Sequence, residues 1–187
     1  ATQPSKSGSR STSSWPRCPL DSVSSAEFGS DPMSVTYLDK ILARHREMAA
    51  ADRRSVDSLI DDSKAMPPTR GFRAALAGTA KLGVVSEIKR RSPSKGDLNI
   101  GMDPAEWAQL YEAGGASCLS VLTDVDGFGG SVEDLQEARS ACSLPVLRKD
   151  FTVSELDVLD ARLMGADCVL LIAAALDPVE LAGYHEL

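Results

Sequence analysis

The chain has 187 residues, 43% of them hydrophobic and 25% charged, with a formal net charge of −7. That length and apolar fraction suffice for one domain with a sizeable core, and the acidic balance argues against nucleic acid as a general partner while leaving room for a local anion site. No apolar run approaches the roughly 20 residues needed to cross a bilayer, even at Cys168–Leu176, so a soluble protein with no membrane partner is expected.

Residues 1–32 hold ten serines, four prolines and two glycines. They show no apolar periodicity and cannot bury enough surface to offset the entropy of ordering, so they read as a disordered tail. The first twenty lack acidic residues, as transit peptides do, yet they form no clear amphipathic helix. With Met33 opening the periodic sequence, an upstream extension or cloning remnant is the better reading.

Residues 33–82 read as a helical extension. Leu38, Ile41, Leu42, His45, Met48 and Ala49 follow the i, i+3, i+4 stripe of an amphipathic helix that starts near Ser34–Thr36, with His45 at the edge of its core face. A weaker helix is expected over Ser55–Lys64, a break at Met66–Gly71, and a short helical piece over Phe72–Leu76.

From Gly83 the pattern becomes regular, with strands expected at Val84–Lys89, Cys118–Leu122, Val146–Lys149 and Cys168–Ile172, each followed by a helix. Asp103-Pro-Ala-Glu106 and Asp177-Pro-Val-Glu180 place an N-cap, a first-turn proline and a capping acid in order, and Ser131 and Ser154 are simpler caps. Gly114-Gly115 and Gly165 supply stops. Trp107, Leu110 and Tyr111, then Leu135 and Ala138, then Leu156, Leu159 and Leu163 form the inward stripes.

Alternating strands and helices, with strands apolar almost throughout, imply a parallel sheet covered by helices. The residues after the first strand, Arg90-Arg-Ser-Pro-Ser-Lys-Gly96, are not the Gly-x-Gly-x-x-Gly of a dinucleotide fold. Charge at successive strand carboxyl ends favours a (β/α)8 TIM barrel, whose active sites sit there. Residues 83–187 supply only four of the eight βα units, and such barrels typically need about 250 residues. The expectation is therefore the first half of a barrel, ending within its fourth helix, as part of a longer enzyme.

The chemistry concentrates at three strand ends. Val85, Glu87 and Lys89 share one face by period two. Opposite charges on a face that otherwise wants a core are costly unless a ligand or a reaction needs them. Leu147, Lys149 and Phe151 share a face of a later strand, and a glycine loop around Phe128 follows the strand between. In a barrel, alternate strands fill one layer, so Lys89 and Lys149 should approach one pocket. Two amines there attract an anion and lower each other's proton affinity, which suits a general acid, with Glu87 as charge balance or base. Arg90, Arg91 and Arg148 point the other way and are expected at the surface.

Four motifs in order, S-E-I-K-R-R-S-P-S-K-G, S-V-L-T-D…F-G-G-S, L-P-V-L-R-K-D-F and G-A-D-C-V-L-L-I-A-A-A-L, resemble those of indole-3-glycerol phosphate synthase from about Ser34 onward. The resemblance implies ring closure of 1-(2-carboxyphenylamino)-1-deoxyribulose 5-phosphate, with loss of carbon dioxide and water, in tryptophan biosynthesis. It assigns Lys149 as the acid on the ketone oxygen, Lys89 with Glu87 to dehydration and anion holding, Ser92 and Pro93 to the adjoining loop, and Phe128, Phe151 and Leu170 to packing the substrate's ring. Family members often carry Phe-Gln-Gly-Ser where Phe128-Gly129-Gly130-Ser131 stands, so Gly129 is expected to loosen that loop. The resemblance also implies a glutamate and an asparagine on strands five and six, and phosphate loops after strands seven and eight, all beyond Leu187. The 187 residues alone are thus expected to be inactive.

Two alternatives stand beside this. Phosphoribosylanthranilate isomerase would share a barrel, though not Glu87-x-Lys89…Ser92-Pro93 together with Lys149-Asp-Phe151. A non-catalytic half-barrel would pair with itself across open strand edges. Cys18, Cys118, Cys142 and Cys168 form no Cys-x-x-Cys pair, and His45 and His185 lie far along the chain from the motifs. No metal or other cofactor is expected, and the location expected is cytoplasmic.

Overall fold

The computed structural model describes residues 36–78 and 82–187. The tail expected over residues 1–32 lies outside the described residues. Helix α1 (Tyr37–Ala51) begins at a reciprocal capping box, in which the Thr36 hydroxyl accepts from the Asp39 N–H at 3.1 Å and the Thr36 N–H donates to the Asp39 carboxylate at 2.8 Å. Ser55 caps α2 (Val56–Lys64), and the chain enters α3 (Phe72–Ala77) through Gly71 at φ 72°. The expected stripe of α1 is narrower than its spacing suggests: Ile41 is buried and Leu42, His45 and Ala49 are half-buried, while Leu38 and Met48 are exposed.

Strand β1 (Val85–Ile88) leads into a small antiparallel arm, β2 (Arg91–Ser92) and β3 (Gly96–Asp97), before α4 (Pro104–Ala113). Then come β4 (Cys118–Leu122), the single-turn α5 (Val125–Phe128), α6 (Val132–Ala141), β5 (Val146–Lys149), α7 (Glu155–Leu163), β6 (Cys168–Val169) and α8 (Pro178–Glu186). Strands β1, β4, β5 and β6 are parallel neighbours in that order, so the fold is α/β with a four-stranded parallel sheet. Asp103, Ser131, Ser154 and Asp177 cap the helices where their spacing placed them. Two strands are shorter than expected. Val84 and Lys89 flank β1 rather than join it, and β6 stops at Val169 because its ladder runs along β5 alone, to the Arg148 pair.

Alternation divides the sheet into two unlike faces. Ile88, Leu119, Val121 and Val146 point toward the helices and pack on Ala108, Leu135, Ala138 and Ala161, forming the core. Helix α4 contributes Trp107, Ala108 and Tyr111, whereas Leu110, expected on the inward stripe, is exposed. Residues of the opposite parity, among them Glu87 and Lys149, occupy the face away from the helices.

This two-faced arrangement corrects the surface role expected of Arg90 and Arg148. Both point away from the charged face, but that direction leads into the helix layer. Arg90 pairs with both Asp134 oxygens at 2.8 Å and donates to the carbonyls of Ile100 and Met102 at 2.7 Å. Arg148, its side chain 11% exposed, donates to Thr123, Asp150 and the Asp157 carbonyl. Arg91 does lie at the surface, paired with Asp97 on the arm.

The helical extension is tied to the sheet by buried charge. Arg70 donates through its guanidinium to the carbonyls of Cys142 and Leu144 and through its N–H to Asp167, at 2.9 Å each. The Asp167 side chain is fully buried and also accepts from Arg139 and the Val146 N–H. Burial pushes this carboxyl's pKa up, but those donors outweigh it and hold the group below the usual carboxylate range.

Candidate active site

Glu87 on β1 gathers the two lysines. One of its oxygens pairs with Lys89, just past the end of the same strand, and the other lies 3.7 Å from Lys149 Nζ on β5. Strand β4 runs between these two strands, so the contact crosses an intervening strand, as alternate-strand layering requires. All three side chains are about one-third exposed. The cluster carries two ammonium groups and one carboxylate, leaving a single excess positive charge to meet an anion. The Tyr111 hydroxyl donates to the Glu87 carbonyl at 3.2 Å and anchors this strand end to α4.

Lys149 also lines a small apolar cleft of about 150 Å³ with Leu122, Phe128, Asp150, Phe151, Leu170 and Ile172. The rings of Phe128 and Phe151 stand 6.3 Å apart, tilted at 38°. An amine that borders an aromatic cleft can deliver a proton to a planar substrate held there. Phe128 is placed by α5, whose start is capped by Asp124 accepting the Gly127 N–H at 2.7 Å. The loop then closes tightly over β4. Gly129 sits at φ 63°, and a Cβ on Gly130 would fall 2.1 Å from the Leu122 carbonyl oxygen. Gly129 thus occupies a left-handed position that glycine adopts without steric cost.

The sequence places Ser92 and Pro93 beside this site, and the structure sets both on the arm. Ser92 is half-buried and its hydroxyl accepts the Lys95 N–H at 3.1 Å, while Pro93 is exposed in the turn. Among the described residues neither shares a hydrogen bond or ion pair with the Glu87 cluster.

Sequence distance hid a second set of residues. His45, 79 positions before Asp124, lies against the motifs it was read as remote from: its Nε2 is 3.2 Å from Asp124 Oδ1 and 3.9 Å from Asp150 Oδ1, and its ring centroid is 5.3 Å from that of Phe151. Arg44 pairs with both Asp124 and Asp126. Burial raises the Asp124 pKa, but His45, the Gly127 N–H and the Arg44 charge together bring it below the usual range. The only signal in the sequence was a histidine on the inner stripe of α1.

His45, Asp124 and Asp150 have ligand atoms within 4.8 Å of one another, a spacing that could hold a metal ion. Their acceptors are already engaged. Asp124 takes Arg44, His45 and the Gly127 N–H, and Asp150 takes Thr123, Arg148 and the Phe151 N–H. A larger cleft of about 300 Å³ beside α1 is lined by these groups with Arg54, Asp157 and Asp160. Its charges are largely paired with one another, and its lining includes no lysine, phenylalanine, tyrosine or tryptophan. The smaller cleft at Lys149 instead sets an amine beside two phenylalanine rings.

Comparison with known proteins agrees with the motif order. A family model described as indole-3-glycerol phosphate synthase matches residues 38–187. The indole-3-glycerol phosphate synthase of Bordetella pertussis is 51% identical over 155 residues, which cover 80% of this chain and 59% of the relative. The chain therefore spans about three-fifths of the length of that curated relative. With the charged strand ends, the aromatic cleft and this continuous match in hand, the chain belongs to the indole-3-glycerol phosphate synthase family.

Proposed function

We propose that this chain carries the proton-donating part of an indole-3-glycerol phosphate synthase, a cytoplasmic carboxy-lyase of tryptophan biosynthesis. In this reading residues 33–82 are the helical extension, and residues 83–187 are the first half of a (β/α)8 barrel whose remaining units complete the phosphate contacts. The substrate is 1-(2-carboxyphenylamino)-1-deoxyribulose 5-phosphate, and no metal or other cofactor takes part.

Lys149 donates a proton to the ketone oxygen as the carboxyl-bearing ring carbon attacks the ketone carbon. The carboxylate then leaves as carbon dioxide, its bonding electrons restoring the aromatic ring. In the second stage Lys89 protonates the departing hydroxyl, which leaves as water, and Glu87 accepts the proton lost as the indole double bond forms. Phe128, Phe151 and Leu170 hold the ring flat against Lys149, which brings the reacting carbons together and lowers the barrier by proximity. Ser92 and Pro93 shape the rim from the arm.

The observation that carries this reading is the double placement of Lys149, paired with Glu87 on one side and lining the aromatic cleft on the other. The test is turnover by the full-length protein in the presence of a chelator, followed by indole fluorescence. Fluorescent product is expected. Its absence at high protein concentration, or a strict requirement for a divalent ion, would refute the reading.

A further inference from the structure

We propose that Arg44, His45 and Arg46 form a three-point clasp from α1 onto the loops after β4, β5 and β6, with His45 as a positioning residue that sets the Phe151 ring beside Lys149. This rests on the function proposed above. Arg44 pairs with Asp124 and Asp126 in the loop after β4. His45 reaches Asp124 and Asp150, bridging the ends of β4 and β5. Arg46 pairs with Glu180 and donates to the Ala175 carbonyl at 2.8 Å, holding the segment after β6. Three consecutive residues thereby join three successive strand ends.

His45 is the central point of the clasp. Its side chain is only 12% exposed, and the two carboxylates it faces are buried to 2% and 4% exposure. Each carboxylate governs one wall of the cleft: Asp124 caps the helix that carries Phe128, and Asp150 lies between Lys149 and Phe151 and accepts the Phe151 N–H at 2.8 Å. The imidazole also packs on Phe151 directly. Loss of the ring removes a polar bridge and a packing surface from one side of Phe151 together, freeing it to turn away from Lys149. Displacements of about 1 Å remote from the bond-making atoms can cost about 10²-fold in rate.

The test uses the full-length protein. His45→Ala is expected to lower kcat by about 10- to 100-fold while KM moves by about threefold or less. His45→Gln, whose amide can bond Asp124 in place of the imidazole, should recover kcat to within about threefold of the unsubstituted protein. An unchanged kcat in His45→Ala, or a loss that His45→Gln fails to recover, would overturn the proposal. A readout independent of turnover is fluorine NMR of protein labelled with 4-fluorophenylalanine, each signal assigned by a Phe→Leu variant. His45→Ala should shift the Phe151 signal and leave that of Phe72, at the opposite end of β4, in place. An unmoved Phe151 signal refutes the clasp. If the unsubstituted protein shows no turnover, the functional reading fails and the fluorine spectrum alone decides the clasp.

Discussion

Lys149 Nζ lies 3.7 Å from Glu87 Oε2, although the two residues stand on strands that are not hydrogen-bonded to each other. The carboxylate holds Lys149 and Lys89 at one point over the open face of the sheet, where their charges would otherwise repel. Glu87→Gln leaves that repulsion unbalanced. In the full-length protein this substitution is expected to lower kcat about tenfold or more, while KM for the proposed substrate holds or falls because the added positive charge favours an anion. Steady-state kinetics read both constants, and unchanged values would remove Glu87 from the mechanism.

The loop that carries Phe128 depends on the absence of a side chain at Gly130. A methyl group there would meet the Leu122 carbonyl at 2.1 Å, far inside contact distance, and backbone has to shift to admit it. Gly130→Ala is expected to cost about 1–3 kcal/mol of stability and to reduce turnover with it. Urea unfolding measures the first effect. A variant as stable as the parent would show that the loop does not close on β4 as described.

Asp167 makes stability depend on pH with a definite sign. Its carboxyl is held below its ordinary pKa in the folded state, by donors that outweigh its burial, so its stabilising contribution is present above the unfolded value of about 3.9 and is lost as pH falls through the folded one. Asp167→Asn should therefore cost about 2 kcal/mol or more at pH 7, and the gap from the unsubstituted protein should narrow below about pH 4. Urea midpoints of both proteins from pH 7 to pH 3 test this. A gap constant over the range would assign the role of Asp167 to shape rather than charge.

Among the described residues the four-stranded sheet has β1 and β6 at its edges, and Val84 and Val85 at the β1 edge are each 42% exposed. Unpaired strand backbone beside exposed apolar side chains favours edge-to-edge association. The 187-residue chain by itself is expected to self-associate and to show no turnover. Light scattering and the fluorescence assay on one sample check both, and an active monodisperse monomer would contradict both.

Helix starts were legible in the sequence because a cap is local: Thr36, Ser55, Asp103, Ser131, Ser154 and Asp177 each sit within a few residues of the amides they satisfy. The sharing of one face by Glu87 and Lys89 was legible for the same reason, since alternation is a two-residue rule. Alternation does not say which face the helices cover, and so Arg90 and Arg148 were misplaced. His45 was missed as a neighbour of Phe151 because nothing in a linear sequence brings α1 to the ends of β4 and β5; tertiary packing does. The length of β6 depended likewise on how far its partner runs beside it.

The central claim is that Lys149 delivers the proton that drives ring closure, and the kinetics of Lys149→Ala in the full-length protein test it most directly. A general acid acts mainly in the transition state, so kcat should fall by about 10²-fold or more while KM changes far less. A Lys149→Ala protein that keeps the kcat of its parent would contradict the account and leave the proton donor to be found elsewhere.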